Sequence, residues 1–354
     1  MRMKLFRRAS VSGILLATIY VSGCRHPGCQ TTIPIPKGQE PLGCVTVLTY
    51  NTHLFAGSRE ESLDLFRKNS LDDRQRAAKM IYKIAESRAD IVALQEVWAD
   101  GNQEWFCQKL KPFYQYCFVS GQKEDWEDHK KTGYLNTCGL VLLSKYKFIE
   151  GPTFFEYDRS KFKFDDPERW ARKGGIFATV ELRPGGPKLR LGITHTHTGY
   201  GEEERNVEQL ANATIKSGRF IDCPAIIMGD FNVHKNGYET LKIALDGLGA
   251  VDAYLEVHPE IGENDYTIDW EKNALNREFF PKRSKHDRDR IDYVFIKKSG
   301  GGLEVTLVEA EVLRDWKYNA VWQKLFRRVK LLADLSDHYP LKVRFEVRRA
   351  ASPR

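Results

Sequence analysis

The sequence predicts an α/β protein, and three observations carry that prediction. Short apolar, β-branched stretches alternate with segments of helical spacing over most of the chain. No internal repeat interrupts the alternation. The apolar stretches also end repeatedly in Asn, Asp, Glu or His, as expected where a rigid sheet carries functional loops at its strand ends. The 354 residues allow one large domain or two, and 42% hydrophobic content with 12% aromatics suffices for a sizeable core.

Taken in order, the chain opens as an export signal. Arg2, Lys4, Arg7 and Arg8 form a basic region, and Val11–Tyr20 is an apolar run too short to span a bilayer as a mature helix. Val21-Ser22-Gly23-Cys24 then resembles a bacterial lipoprotein signal, in which Cys24 would carry lipid; an ordinary secretory signal or a short anchor fits as well, and either exports the protein. Residues 1–23 are thus expected to be a signal and residues 24–43, punctuated by Pro and Gly, a tether without a core. The four basic residues supply most of the formal charge of +7, and the remaining +3 is too modest to imply nucleic-acid binding. Beyond Cys24 stand Cys29, Cys44, Cys107, Cys117, Cys138 and Cys223. Cys107 and Cys117 are the favoured local disulfide pair, and no Cys-x-x-Cys spacing argues for zinc.

The folded part, residues 44–348 with a short tail at 349–354, begins with the strand Cys44–Tyr50, which leads into Asn51-Thr52-His53. Ala77, Met80, Ile81 and Ile84 give Arg74–Arg88 helical spacing. Asp90–Leu94 is a short buried strand ending in Gln95-Glu96-Val97-Trp98. Strands follow at Gly139–Ser144, Ile176–Leu182 and Leu189–Thr194, the last ending in His195-Thr196-His197. A helix over Glu203–Ser217 precedes the strand Ala225–Met228, which stops at Gly229. Asp230 and Asn232 follow two positions apart, so extended backbone would point both to one face; a strand ending in a polar turn has the same pattern. A helix near Tyr238–Leu245, a strand over Arg290–Ile296 and the run Ser336-Asp337-His338-Tyr339-Pro340 before the strand Leu341–Val347 complete the chain.

The polar strand ends offer hard oxygen donors and imidazoles: Asn51, Glu96, His195, Asp230, Asn232, Asp292, Asp337 and His338. The chain has no recognisable nucleophile elbow and no Gly-rich phosphate loop before a helix. Magnesium prefers oxygen ligands and is commonly held by one or two carboxylates, so Glu96 is the first ligand candidate, with Asn51 beside it. Asp337-His338 suggests a carboxylate near the metal or the attacking water, and an imidazole that accepts that water's proton. Such parts suit metal-assisted hydrolysis of a phosphate ester. Manganese or cobalt would also fit an oxygen-rich site.

The motifs Leu48-Thr49-Tyr50-Asn51, Leu94-Gln95-Glu96-Val97, Thr194-His195, Gly229-Asp230-Phe231-Asn232, Arg290-Ile291-Asp292-Tyr293 and Ser336-Asp337-His338-Tyr339-Pro340 run in this order from Cys44 to Val347. Together they resemble the endonuclease/exonuclease/phosphatase superfamily, which implies a four-layer α/β sandwich of two packed sheets between helices. Within it, Asp90–Trp98, Asn206–Leu210, Gly229–Lys235, Tyr266–Asn273 and Asn276–Pro281 are similar to bacterial neutral sphingomyelinases. The resemblance implies that Glu96 holds magnesium with help from Asn51, that Asp230 positions water or a metal, and that Asn232 and His195 donate to phosphoryl oxygens. It further implies His338 as general base oriented by Asp292, and Asp337 beside a second metal or water site. The expected substrate is membrane sphingomyelin or a related phospholipid, acted on by a monomer at a membrane surface. Same-fold alternatives are a secreted DNA endonuclease or another phosphoesterase, the former encouraged by 18 Lys and Arg against 11 Asp and Glu from Glu278 to Arg354. A non-catalytic membrane-binding lipoprotein is a third reading.

Other positions are expected to be inert. His197 reads as a solvated strand residue, and His53, His129, His234, His258 and His286 as surface or structural. Asp287, Asp289 and the adjacent arginines read as a solvated loop. Trp316–Leu332 has the spacing of a basic amphipathic helix, with Trp322, Leu325, Phe326, Val329 and Leu332 on one face and Lys317, Lys324, Arg327 and Arg328 opposite. Some sphingomyelinases contact the bilayer through an aromatic-tipped hairpin, for which the sequence offers no evident counterpart. Trp98, Trp270 and Tyr339 are candidates for the face of a quaternary ammonium.

Overall fold

Period-two burial along the strands sets the layering. The computed structural model describes residues 42–55, 73–98, 100–120, 138–163, 166–199, 202–216, 222–279, 287–324 and 327–350. The expected signal, Cys24, Cys29 and nearly all of the tether lie outside the described residues, as do His129 and His286.

The first sheet contains β1 (Gly43–Leu54), β2 (Ile91–Val97), β3 (Tyr116–Val119), β4 (Val141–Ser144), β13 (Ser299–Gly300), β14 (Leu303–Val312) and β17 (Leu341–Arg349), in the order β13-β14-β17-β1-β2-β4-β3. The second contains β5 (Lys147–Glu156), β6 (Gly174–Glu181), β7 (Lys188–His195), β8 (Ala225–Asp230), β9 (Ala250–Asp252) and β12 (Asp292–Lys297), in the order β5-β6-β7-β8-β12-β9. β1 pairs in parallel with β2 and antiparallel with β17; β7 pairs in parallel with β8, and β8 antiparallel with β12, while β10 (Ile268–Asp269) and β11 (Arg288–Asp289) form a separate antiparallel pair.

Alternate residues face two different cores. Val45 and Val47 of β1, Ile91 and Ala93 of β2, Leu191 and Ile193 of β7, Ile226 and Met228 of β8 and Val294 and Ile296 of β12 pack between the sheets. Leu48, Tyr50, Val92 and Leu94 face outward against the helices α1 (Asp73–Ser87) and α2 (Asp100–Leu110). Ile227, Tyr293 and Phe295 face outward against α3 (Glu202–Lys216) and α4 (Tyr238–Asp246). Two-sided burial explains why these strands read as continuous apolar runs, and it gives the four layers, helix–sheet–sheet–helix, that the resemblance implied.

One expected element is corrected. Residues 317–324 and 327–334 form no helix but the antiparallel strands β15 (Lys317–Lys324) and β16 (Arg327–Asp334), paired from Lys317↔Asp334 to Lys324↔Arg327. Tyr318, Ala320 and Ala333 are buried in the outer core of the first sheet, whereas Leu332, placed on the expected apolar helix face, is 62% exposed. The period-two packing of Tyr318 and Ala320 outweighs the 3.6-residue pattern read at Trp322, Leu325, Phe326, Val329 and Leu332. Strands β5 and β14 and helix α2 carry weaker apolar patterns and escape the sequence reading. Cys107, in α2, is disulfide-bonded to Cys117, in β3, with Cα atoms 5.8 Å apart, while Cys138 and Cys223 are buried free thiols.

Candidate active site

All the polar strand ends meet at one end of the sandwich, at the C-terminal ends of β1, β2, β7 and β8 and the N-terminal ends of β12 and β17. Strand parity brings four of them into the space between the sheets. Asn51 continues the series Val45, Val47; His195 continues Leu191, Ile193; Asp230 continues Ile226, Met228; and Asp292 precedes Val294, Ile296. Register aligns His195 with Asp230 and Asp230 with Asp292 across neighbouring strands. The Asn51 amide nitrogen donates to Asp230 Oδ2 at 2.8 Å, tying one sheet to the other. Gly229 permits the close approach of β7 and β8, since a Cβ there would lie 1.9 Å from the Thr194 carbonyl oxygen.

Three further residues reach the cleft because the backbone leaves the strand conformation. Among the described non-glycine residues, positive φ occurs at His53 (49°), Glu96 (57°), Asn232 (51°) and Arg88 (57°). The first three line the site, a clustering of uncommon backbone conformations typical of functional sites. Glu96 belongs by parity to the outward series Val92, Leu94, and its left-handed backbone redirects the carboxylate inward. Asn232 does not share a face with Asp230 through extended backbone, as expected from the sequence. Its N–H instead donates to Asp230 Oδ1 at 2.8 Å in a tight turn, and its amide nitrogen donates to the Thr196 carbonyl at 2.9 Å.

His338 and Asp337 arrive on the loop before β17. His338 Nδ1 lies 2.8 Å from Asp292 Oδ2, and its Nε2 lies 3.9 Å from Asp230 Oδ2. Residues 267–276 clamp this loop: the Thr267 hydroxyl accepts from the N–H groups of Ile291 and Asp292, and the Thr267 carbonyl from Tyr339 N–H. Asn273 and Asn276 donate to the carbonyls of Ser336 and Asp337. Arg76 of α1, fully buried, donates to the carbonyls of Thr52, His53 and Leu335, joining the end of β1 to the same loop.

The electrostatics follow from burial and crowding. Burial, reinforced by Asp292, pushes Asp230 up to about 7 against the pull of His338 and Lys173. Burial works against the Glu96 anion too, but the adjacent His53 imidazole, with His195 and Lys173, holds its carboxyl well below the usual range. Burial, reinforced by the Lys173 cation, keeps His195 neutral. For His338 burial disfavours the cation, yet Asp292, Asp230 and Asp337 together raise its pKa well above the ordinary imidazole value. Lys173, itself buried and paired with Glu168 at 3.1 Å, is thus a charge felt across the site that the sequence reading missed.

The donor set fits a divalent cation. Atoms of Glu96, His195 and Asp230 lie within 4.8 Å of one another, as do atoms of Asp230, Asp292 and His338. Glu96 Oε2, Asp292 Oδ1 and both ring nitrogens of His195 are buried and make no hydrogen bond among the described residues. Oxygens left without donors, converging at strand ends, suit a hard cation.

Several sequence expectations need correction. His197 is fully buried, receiving its place from Asn206 Oδ1 (Nδ1 at 3.0 Å) and the Ala171 carbonyl (Nε2 at 3.1 Å); the strand parity shared with His195 turns it inward. His53 is neither a surface nor a purely structural residue: it is 6% exposed, and its Nδ1 lies 3.4 Å from Glu96 Oε2 and 3.3 Å from Asp337 Oδ2. Its spacing two residues after Asn51 was the available signal. Asp289 is buried against His234 and Lys235, and Arg290 forms a buried two-point pair with Asp252; of the described residues there, Asp287 is exposed and Arg288 half-buried. His258 is structural, bonded to the Ala310 carbonyl. Of the aromatic candidates, Trp98 lies 5.9 Å from the His195 ring, Trp270 packs on Ile268 and Ile291, and Tyr339 has the Arg314 guanidinium 4.4 Å over its ring.

Comparison with known proteins places this geometry. The model of the "Endonuclease/Exonuclease/phosphatase family" matches residues 48–338. No functionally curated sequence matches the chain. Among solved structures, sphingomyelinase C from Streptomyces griseocarneus is 19% identical with a TM-score of 0.59, covering 87% of this chain and 100% of its own. Beta toxin from Staphylococcus aureus, a double mutant with bound magnesium ions, is 18% identical with a TM-score of 0.59 and covers 87% of this chain and 100% of its own. A mannosyl-6-phosphatase of Bacteroides thetaiotaomicron is 18% identical with a TM-score of 0.58, covering 85% of this chain and 99% of its own. At these identities the likeness concerns the fold.

Proposed function

Because the chain belongs to the endonuclease/exonuclease/phosphatase family, we propose that it is a metal-dependent phosphodiester hydrolase whose substrate is sphingomyelin, cleaved to ceramide and phosphocholine. The observation that carries the reading is the His338–Asp292 pair at 2.8 Å, set beside Asp230 in an oxygen-rich cleft. In that arrangement Asp292 fixes the ring through Nδ1 and leaves Nε2 facing Asp230, where a water held by the Asp230 carboxylate would pass its proton to the imidazole as it attacks phosphorus. The P–O bond to ceramide breaks as the new bond to water forms; the ceramide alkoxide takes a proton from solvent, His338 returns to solvent the proton it accepted, and phosphocholine departs.

Glu96, Asp230 and Asp337, with the Asn51 oxygen, would hold magnesium. When bound, the cation supplies charge stabilisation for the phosphoryl oxygens. With the cation bound, the charges of Asp230 and Asp337 beside His338 would be offset, leaving Nε2 able to accept the proton. His195, neutral and buried, and Asn232 are placed to donate to non-bridging oxygens. Asn51 holds Asp230 in orientation from the opposite sheet.

Sphingomyelin is preferred over other phosphoesters because the motif resemblance extends beyond the site residues to Tyr266–Asn273, the segment that clamps the His338 loop, and because Trp98 lines the cleft beside His195. Export and a lipid anchor at Cys24 would place the enzyme at a membrane surface. In sequence, Lys324, Arg327 and Arg328 flank Leu325-Phe326, a combination suited to anionic or interfacial lipid. The test is direct. Protein is assayed with magnesium on sphingomyelin liposomes, phosphatidylcholine liposomes, plasmid DNA and a sugar phosphate. Release of phosphocholine from sphingomyelin supports the proposal; nicked DNA or released phosphate with sphingomyelin intact assigns a different phosphoester, and liposome binding without turnover on any substrate assigns a non-catalytic lipoprotein.

A further inference from the structure

Asp337 and His338 share one peptide unit, and that unit is held at both ends. The Asp337 carbonyl accepts from Asn276 Nδ2 at 2.6 Å, and the His338 N–H donates to Ser336 Oγ at 3.3 Å. Because the unit is planar, its orientation sets ψ of Asp337 and φ of His338 together, and with them the directions in which the carboxylate and the imidazole leave the backbone. Ser336 Oγ donates in turn to the Asn51 carbonyl at 2.7 Å, and Tyr339 N–H donates to the Thr267 carbonyl at 2.7 Å. The loop is thus tied to β1 on one side and to residues 267–276 on the other.

Two asparagines grip the loop from that second side, and they are not equivalent. Asn273 caps the short helix Ala274–Phe279: its Oδ1 accepts from the N–H groups of Leu275 at 2.9 Å and Asn276 at 3.1 Å, while its Nδ2 donates to the Ser336 carbonyl at 2.9 Å. Both polar atoms of that side chain serve the fold. Asn276 is fully buried, its Nδ2 goes to Asp337, and its Oδ1 makes no hydrogen bond among the described residues. Which end of the amide faces the loop is fixed by chemistry, since the Asp337 carbonyl can only accept.

A buried amide oxygen without a donor is unfavourable, and the neighbouring Ala274 and Leu275 show the apolar packing open to this helix. For stability alone, Asn276 gains one hydrogen bond and leaves one acceptor unmet, so a leucine that gave up both would serve about as well. What the amide alone supplies is its hold on the Asp337–His338 peptide. His338 must keep Nδ1 on Asp292 at 2.8 Å while Nε2 points toward Asp230 Oδ2, 3.9 Å away, and both contacts depend on the backbone beneath the ring. Displacing a reacting group by ~1 Å can cost about 100-fold in rate.

We infer that Asn276 is a positioning residue of the active site, fixing the Asp337–His338 peptide and thereby the line from His338 Nε2 to Asp230. It acts through the backbone and touches none of the reacting atoms. The inference rests on the reading of His338 as general base and is independent of the organic substrate.

Asn276→Leu removes the donor and the unmet oxygen at similar volume. Full-length natural and variant proteins are compared in three ways: denaturant unfolding, turnover of an activated aryl phosphodiester with Mg2+, and 1H–13C correlation NMR of histidine-labelled protein. The ring signal of His338 is assigned by its loss in His338→Ala. The variant is expected to unfold at an unchanged or higher denaturant midpoint, to lose about 10–100-fold in kcat per folded molecule at unchanged KM, and to show a shifted His338 signal. A purely structural role would lower the midpoint and leave kcat per folded molecule as it was. Unchanged kcat per folded molecule, or an unmoved His338 signal, overturns the inference. If the leucine variant does not fold, Asn276→Ala takes its place; failure of both to fold makes Asn276 a folding residue and also overturns the inference. Failure of the parent reading looks different: the natural protein then hydrolyses no phosphodiester, and the His338 signal alone decides, its shift in the variant upholding the positioning role.

Discussion

Asn51 and Asp230 lie 179 residues apart and in different sheets, yet the Asn51 amide donates to Asp230 Oδ2 at 2.8 Å in a fully buried contact. Few side chains could make it: the bond needs a donor that is neutral and short. Asn51 also accepts from His53 N–H, so one amide sets the orientation of a carboxylate and of an imidazole. Asn51→Ala is expected to lower turnover or magnesium affinity by about 10–100-fold, the usual effect of removing a partner behind a metal ligand. Activity titrated against Mg2+ checks this, with circular dichroism confirming the fold; undiminished magnesium affinity and turnover would remove Asn51 from the site.

His338→Ala is expected to reduce kcat by ~10²–10⁴-fold with little change in KM. An activated aryl phosphodiester serves as substrate. Asp292→Asn should also slow turnover while leaving metal stoichiometry unchanged, because it alters only the partner of Nδ1. A loss of Mg2+ binding equal to the loss of rate would mean that His338 is a ligand rather than a base.

His197 makes the fold sensitive to acid. Burial, with the Lys173 cation nearby, pulls its pKa down to about 4, against about 6.5 in an unfolded chain. Between these values the unfolded state binds the proton and the folded state does not, so stability is complete above about pH 6.5 and falls as pH drops toward 4, by at most about 3 kcal/mol. His197→Gln should flatten that part of the profile. The comparison is made by denaturant unfolding of metal-free protein, natural against variant, so that opposing groups such as Asp230 cancel. Parallel profiles would mean that His197 titrates normally.

The Cys107–Cys117 bridge closes a short loop of sequence separation 10 between α2 and β3. Chain-entropy reasoning assigns such a closure about 3 kcal/mol. Replacing both cysteines by Ala should lower unfolding free energy by up to that amount and leave the distant cleft active. Free-thiol titration of the denatured, unreduced natural protein checks the bridge independently.

Much of the fold was legible because burial on both faces of a strand leaves a continuous apolar run that ends abruptly. The runs at Cys44–Tyr50, Asp90–Leu94 and Ala225–Met228 each appear as strands close to those bounds. The hairpin of β15 and β16 was not legible, because Trp322, Leu325, Phe326 and Val329 satisfy a helical period, and only the packing of Tyr318, Ala320 and Ala333 against the first sheet selects strands. Lys173 and Arg76 escaped notice for a related reason. A lone basic residue reads as solvated until its surroundings are known, and both are buried.

The sequence alone determined which strands end in polar residues, and for Asn51, His195, Asp230 and Asp292 also which way they face, since alternation propagates from the apolar residues behind them. The tertiary structure decided the rest. His53, Glu96 and Asn232 reach the cleft through left-handed backbone that no alternation predicts. The physical reason is one of range: side-chain parity is local and survives in a string of residues, whereas the left-handed positions rest on partners the fold brings up, Arg76 for His53, the Gly139 carbonyl beside Glu96 and the Thr196 carbonyl for Asn232.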